Sequence, residues 1–205
     1  MKFICVTQRL IYDEKNQTFK DALDKELLNF LNIIGYIAIP IPNIELKFKE
    51  IDDLLKFYIK DSKVKGFILS GGEDLKKNKE RFKIEKCIYY FCLKNKIPLF
   101  GICRGLQMIA KINNINLLRV ENHVAKRHFI TTINSKNSTK RKVNSYHNWK
   151  IENCPKDFRI THLSNDKVIE GIKHKKLPIQ AFMWHPEREK NYNKVDIKVL
   201  KNFFK

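Results

Sequence analysis

Through the first half of the chain, unbroken apolar runs alternate with segments whose apolar residues recur every three or four positions. Phe3 to Thr7 reads as a strand buried on both faces, rich in Ile and Val. From Asp21 to Ile34 the apolar residues Ala22, Leu23, Leu27, Phe30, Leu31 and Ile34 fall at helical spacing, and Gly35 follows as a stop. Tyr36 to Ile41 is again strand-like, closed by Pro40 and Pro42. Ile51 to Ile59 predicts a helix, and Val64 to Leu69 a strand that runs into Gly71-Gly72. Glu80 to Asn95 predicts a helix and Ile97 to Ile102 a strand ending on Cys103, with another helix starting at Arg104 or Gly105.

Strands that are continuously apolar and alternate with helices imply a parallel sheet covered on both faces. The second half differs. Leu117 to Val120, His128 to Ile133, Arg141 to Ser145, Phe158 to His162, Val168 to Lys173 and Ile179 to Met183 predict short strands joined by polar turns. The last of these is expected to return to the central sheet, and Asp196 to Phe204 closes the pattern as an amphipathic helix. The expected fold class is α/β: a three-layer, flavodoxin-like sandwich around a mostly parallel sheet, plus short antiparallel strands in the second half. Neither a repeat nor a linker interrupts the 205 residues, so one domain over 1–205 is expected.

The formal charge of +19 raises the question of a polyanionic partner. The positive residues are mostly lysine and spread along the whole chain. Their densest clusters, Lys76-Lys77-Asn78-Lys79 and Lys140-Arg141-Lys142, lack the interleaved aromatics of a stacking platform. A small anionic substrate is a better use of this field than nucleic acid. No stretch approaches the roughly 18–20 apolar residues of a membrane span. The apolar run after Met1 is too short for a signal peptide, so a cytoplasmic location without membrane association is expected. The five cysteines show no disulfide spacing, and Cys87 and Cys92, five apart in a predicted helix, do not share a face for one metal ion.

Candidate chemistry starts at Phe100-Gly101-Ile102-Cys103-Arg104-Gly105-Leu106-Gln107: a strand, a sharp turn with small residues around a cysteine, then a helix. This is the thiol counterpart of the G-x-S-x-G nucleophile elbow. The Arg104 backbone N–H would point at an oxyanion formed on the attacked carbon. Read blandly, the same residues are a buried cysteine with glycines for packing. The second segment, Phe182-Met183-Trp184-His185-Pro186-Glu187, follows a predicted sheet strand, so its polar residues emerge at the carboxyl edge where open α/β folds place their sites. His185 is placed to take and return a proton, and Glu187 to hold its imidazole. His-Pro-Glu in a surface turn is, by itself, also common.

Together these segments resemble the class I glutamine amidotransferase superfamily, in which a cysteine elbow precedes a distant His-x-Glu pair. Gly66-Phe67-Ile68-Leu69-Ser70-Gly71-Gly72-Glu73-Asp74 is similar to the family's third-strand segment, and implies that Gly71 and Gly72 supply oxyanion N–H donors alongside Arg104. The Cys-Arg-Gly elbow and Val143-Asn144-Ser145-Tyr146-His147-Asn148 resemble the γ-glutamyl hydrolase branch (peptidase C26-like). That resemblance implies that Gln107 and the backbone of Ser145, Tyr146, His147 and Asn148 hold the glutamyl α-amino and α-carboxylate groups. Asn165-Asp166-Lys167-Val168-Ile169-Glu170 is similar to the branch's Asp-Gly-x-Ile-Glu, with Lys167 where glycine is usual. Within the branch, Thr7-Gln8-Arg9, the short loop after Gly72 and Met183-Trp184-His185-Pro186-Glu187-Arg188-Glu189 look most like γ-glutamyl-CDP-amidate hydrolases of capsule phosphoramidate biosynthesis. That implies an anionic substrate whose phosphates Arg9, Arg104 and Arg188 could meet. Arg9 and Arg188 could equally be solvated or paired with Glu73 or Glu189.

The implied reaction needs no metal or organic cofactor and no obligatory synthase partner. His123 and His128, five apart in an Asn-rich segment, are expected as polar surface or pocket-edge residues rather than metal ligands. Competing readings are a glutaminase that feeds ammonia to a separate synthase, a hydrolase of another γ-glutamyl amine, a non-catalytic binding protein on the same scaffold, and a nucleic-acid binder.

Overall fold

The computed structural model describes residues 1–133 and 138–205. Its first half contains β1 (Phe3–Thr7), β2 (Arg9–Asp13), β3 (Thr18–Ala22), α1 (Lys25–Ile33), β4 (Ile37–Ile41), α2 (Phe48–Ile59), β5 (Val64–Leu69), α3 (Lys79–Asn95), β6 (Leu99–Ile102) and α4 (Arg104–Ile112). The second contains β7 (Leu117–Arg119), β8 (Val124–Thr132), β9 (Lys140–Tyr146), β10 (Trp149–Ile151), β11 (Phe158–Ser164), β12 (Ile169–His174), β13 (Ile179–Phe182) and α5 (Lys194–Phe203).

Nine strands form one sheet in the order β4-β1-β5-β6-β13-β12-β11-β8-β9. The stretch from β4 to β13 is parallel, and β12, β11, β8 and β9 extend it antiparallel. The predicted return of the last strand to the sheet centre is found in β13, which pairs with β6.

Strand alternation divides the core between the two faces. Cys5, Phe67, Leu69, Leu99 and Ala181 point to one side, where Ile51 and Leu55 of α2, Ile84 and Ile88 of α3, and Leu106 and Ile109 of α4 cover them. Ile4, Val6, Ile68, Phe100, Ile102 and Phe182 point to the other, under Leu27, Phe30 and Leu31 of α1 and Leu200 of α5. The expected three-layer sandwich is what these two clusters describe. Helix starts carry local signals as well: Asn78 Oδ1 accepts the Arg81 N–H at 2.9 Å to cap α3, and Asn193 Oδ1 accepts that of Val195 at 2.8 Å to cap α5.

The structure departs from the sequence expectation chiefly between residues 9 and 24. The helix expected from Asp21 begins at Lys25, because Asp21 and Ala22 pair with Leu10 and Arg9 in the β2–β3 hairpin. Asp13 closes that hairpin by accepting the Asn16 backbone N–H at 3.1 Å. The short strand β10, which pairs with β7, follows the segment read as pocket lining. Lys167 adopts φ 67°, so the turn that usually carries glycine keeps its left-handed backbone with a lysine in it. No helix among the described residues is long and apolar enough to cross a membrane.

Candidate active site

Three strands end together at one edge of the parallel sheet. Leu69 is level with Gly101, and Phe182 with Ile102. The ladder between β6 and β13 reaches the Cys103 N–H itself, which donates to Phe182 O at 2.8 Å. Ser70-Gly71-Gly72, Cys103 and Met183-Trp184-His185 therefore leave the sheet side by side.

Cys103 sits at the sharp turn between β6 and α4, with φ 50° and ψ −98°, a backbone conformation rarely adopted by a residue bearing a Cβ. The turn is held by close packing. A methyl on Gly105 would lie 2.3 Å from Leu69 O, so only glycine lets α4 approach β5 this closely. Cys103 is 6% exposed and His185 2% exposed, so both side chains are nearly removed from water.

The His185 Nδ1 and Glu187 Oε1 lie 2.6 Å apart, and Cys103 is close enough to favour a charged imidazole. Burial opposes a charged imidazolium here. Glu187 and Cys103 nevertheless outweigh it and raise the His185 pKa to about 9. The ring is boxed in from other sides too. Gly71 faces it so closely that a methyl there would sit 2.8 Å from Cε1, and Tyr146 packs edge-on at 5.8 Å.

The glycine loop is fixed from beneath by residues that sequence reasoning passed over. Arg81, fully buried, donates from Nη2 to Ser70 O at 2.7 Å and to Gly71 O at 3.1 Å. Because a trans peptide sets C=O and N–H in opposite directions, the Gly71 and Gly72 N–H groups point away from Arg81. Gly72 itself has φ 150°. Arg81 also bonds Glu73 at 2.9 Å and Glu85 at 2.9 Å. Glu85 further accepts from Thr7 Oγ1 at 2.9 Å and from Arg104 Nη1. Burial alone would raise the Glu85 pKa, but Arg104 and Arg81 overcome it and hold the carboxyl below its usual range. The Arg104 side chain, expected among the cations meeting phosphate, is thus corrected: it is 1% exposed and committed to Glu85 under the elbow.

Other expected contacts divide sharply. Gln107 reaches toward the β10 side, its Nε2 donating to Trp149 O at 3.3 Å. Ser145 is fully buried, its hydroxyl donating to His123 O at 2.6 Å. His147 is also buried and turned inward, whereas Tyr146 is exposed beside His185. Asn148 lies in a separate depression with Arg119 and Lys126, away from the cysteine. His123, expected at the surface or a pocket edge, is only 3% exposed, with His147 and Glu170 packed against it. Neither Arg9 nor Arg188 pairs with Glu73 or Glu189. Both donate to one oxygen of Asp24, at 2.6 and 2.7 Å. Arg188 and Asp24 line an open cavity of about 560 Å³ whose wall also includes Tyr146 and Glu187, and Arg9 adjoins it through Asp24.

The structure is thus a parallel α/β sheet whose edge brings a cysteine elbow beside a histidine–carboxylate pair. Comparison with known proteins is more specific: the class-I glutamine amidotransferase family model matches residues 25–205, and the chain belongs to that family. Over 98% of its length it is 37% identical to the γ-glutamyl-CDP-amidate hydrolase of Campylobacter jejuni, of which 97% is covered. It is also 33% identical to the glutamine-hydrolysing GMP synthase component of Methanococcus aeolicus, covering 84% of this chain and 87% of that one. Among solved structures, a protein described as a GMP synthase component from Thermoplasma acidophilum superposes with a TM-score of 0.73 at 21% identity, over 100% of this chain and 92% of the other. That last likeness supports the fold. The named relatives and the family model make the chain a glutamine-amidotransferase-type hydrolase.

Proposed function

We propose that the chain hydrolyses a γ-glutamyl amide through a thioester on Cys103, and that the substrate is γ-glutamyl-CDP-amidate. The observation that carries the reading is the meeting of Cys103, His185 and Glu187 at one sheet edge, with Glu187 2.6 Å from His185. The near full-length similarity to the Campylobacter jejuni hydrolase supports this choice of substrate.

In this mechanism His185 takes the Cys103 proton, and the sulfur attacks the γ-carbonyl carbon. Backbone N–H groups of Gly71, Gly72 and Arg104 donate to the developing oxyanion. The His185 imidazolium returns the proton to the amide nitrogen as the C–N bond breaks, leaving a γ-glutamyl thioester and the free amine. Water then attacks the thioester carbon, its proton going to His185. The C–S bond breaks, glutamate leaves and the thiol is restored. Glu187 stabilises the imidazolium through both halves. Gln107 and the backbone around Tyr146 hold the glutamyl end.

The arginine pair supports an anionic leaving group. Arg9 and Arg188 set two positive charges against the single carboxylate of Asp24, beside a cavity whose wall also carries Glu26 and Lys190. Glu187 and Glu189 in the same wall are occupied by His185 and Arg127 respectively. A diphosphate arriving there would find guanidinium groups already gathered.

Similarity to the GMP synthase component favours a second reading, a glutaminase whose ammonia passes to a separate synthase. Glutamate release by the purified chain from glutamine, γ-glutamyl amines and γ-glutamyl-CDP-amidate separates the two. Preference for the CDP-amidate establishes the proposed hydrolase. Turnover of glutamine alone, or silence with Cys103 still open to alkylation, supports the synthase-coupled reading instead.

A further inference from the structure

Behind the wall that carries Tyr146, three buried side chains from different parts of the sheet converge on one point. They are His123, just before β8, His147, just after β9, and Glu170 on β12. The His123 Nδ1 and His147 Nε2 are 3.2 Å apart. Glu170 Oε1 is 3.5 Å from the former and 3.4 Å from the latter.

The outward nitrogens of both rings are already engaged. His123 Nε2 lies 2.9 Å from Asp166 Oδ2, and His147 Nδ1 lies 3.0 Å from Trp149 O. Each partner is an acceptor, so each outward nitrogen carries the ring proton. The inward nitrogens then present lone pairs to one another and to a carboxylate. Glu170 is completely buried, and neither of its oxygens has a hydrogen-bond donor among the described residues. Three acceptors facing each other in a dry pocket repel unless a positive charge, an added proton or a metal ion, lies between them.

We propose that this cluster is a zinc site, with His123 Nδ1, His147 Nε2 and Glu170 Oε1 as its three protein ligands. A tetrahedral zinc with bonds of about 2.0–2.1 Å has its ligand atoms about 3.3–3.4 Å apart, which is the spacing seen here. Two imidazoles and a carboxylate are a donor set that zinc accepts, and Asp166 and the Trp149 carbonyl orient the rings as outer partners do around bound metals. The fourth position falls to water on the side of His128, whose Nε2 is 3.4 Å from Glu170 Oε1 and whose ring nitrogens are also without partners among the described residues. The ion is a clip, not a reactant. It ties β8, β9 and β12 together directly behind Ser145 and Tyr146, and so stiffens the wall that faces His185.

Chelator-treated full-length protein titrated with Co²⁺, and then with Zn²⁺, tests the assignment without any activity assay. One equivalent of Co²⁺ should give the intense visible absorption of a four-coordinate site, and one equivalent of Zn²⁺ should abolish it. The band should persist in Cys103→Ala, which removes the nearby thiol, and should be lost in Glu170→Gln. Asp166→Asn, an exposed change that leaves the core intact, should weaken zinc binding about 10- to 100-fold. Absence of a stoichiometric band in the wild-type protein overturns the proposal, as does a band that survives Glu170→Gln or disappears with Cys103→Ala.

Discussion

Asn144 holds His185 by both of its backbone groups: Nδ2 donates to His185 O at 2.7 Å, and Oδ1 accepts the His185 N–H at 2.9 Å. The same Nδ2 also donates to Glu189 at 2.9 Å, so one amide spans the turn on either side of Glu187. This side-chain clamp replaces a sheet ladder where β13 has ended. It therefore sets the height at which the imidazole stands over Cys103.

Asn144→Ala should leave the buried His185 N–H unpaired, while the His185 C=O keeps the Arg188 N–H at 3.1 Å, costing about 1–3 kcal/mol of stability. It should lower kcat more than it raises KM, because His185 loses its position while the glutamyl contacts stay. Urea denaturation alongside steady-state kinetics checks both. An unchanged kcat would show that the β13 backbone alone positions His185.

Glu187→Gln tests the electrostatics. The His185 pKa is raised from 6.5 to about 9, so the stability this group contributes is fully present below pH 6.5 and is lost as pH rises through 9. The imidazolium needed to protonate the leaving nitrogen is lost over the same limb. Arg188, with Nε 3.9 Å from Glu187, stays positive throughout and does not shape it. Removing the Glu187 charge should move the basic limb of the rate profile toward neutral pH and lower kcat by about 10–100-fold. A limb that stays near pH 9 would assign it to some other group.

The alternation of buried strands and helices, and the two motifs at their ends, were legible because they are local. The chain order of β1, β4, β5 and β6 follows from unbroken apolar runs, and Cys103 and His185 from strand ends. What stayed hidden was set by tertiary contacts. Arg81, Glu85 and Thr7 look like ordinary surface helix and strand-end residues, yet all are buried together under the elbow. The β2–β3 hairpin was masked because Ala22 and Leu23 also fit the helical spacing of the residues that follow. His123, His147 and Glu170 are too far apart in the chain for any spacing rule to unite them.

Glu85→Gln should be among the most disruptive single changes in the chain. It takes the shared carboxylate from between Arg81 and Arg104, leaving the buried Arg104 guanidinium unpaired and Arg81 with Glu73 alone. Breaking a buried pair in this way costs about 3–5 kcal/mol. The sign with pH follows from the lowered Glu85 pKa: its contribution is present above the ordinary value of 4.5 and lost as pH falls through the native one. Wild-type protein should therefore lose stability faster than the variant on acidification, which denaturation midpoints at several pH values would reveal. Equal slopes for the two proteins would remove Glu85 from the account of acid stability.

Cys103 offers a test in which chemistry and backbone strain pull apart. At φ 50° and ψ −98° any residue with a Cβ is strained, and such positions cost about 1–3 kcal/mol. Cys103→Ala removes the sulfur and keeps the Cβ, so turnover should fall to background while the melting temperature stays near that of the wild type. Cys103→Gly removes the Cβ as well. Its gain from relief of the turn is opposed by the entropy of a freer unfolded chain, about 0.5–1 kcal/mol. On balance the glycine variant should equal or exceed the alanine variant in stability, although glycine is the poorer residue almost everywhere else. Calorimetry on the two variants measures the difference directly. A glycine variant clearly less stable than alanine would mean that the elbow carries no strain, and that the conformation of Cys103 comes without cost. Residual turnover in either variant would remove the thioester from the mechanism.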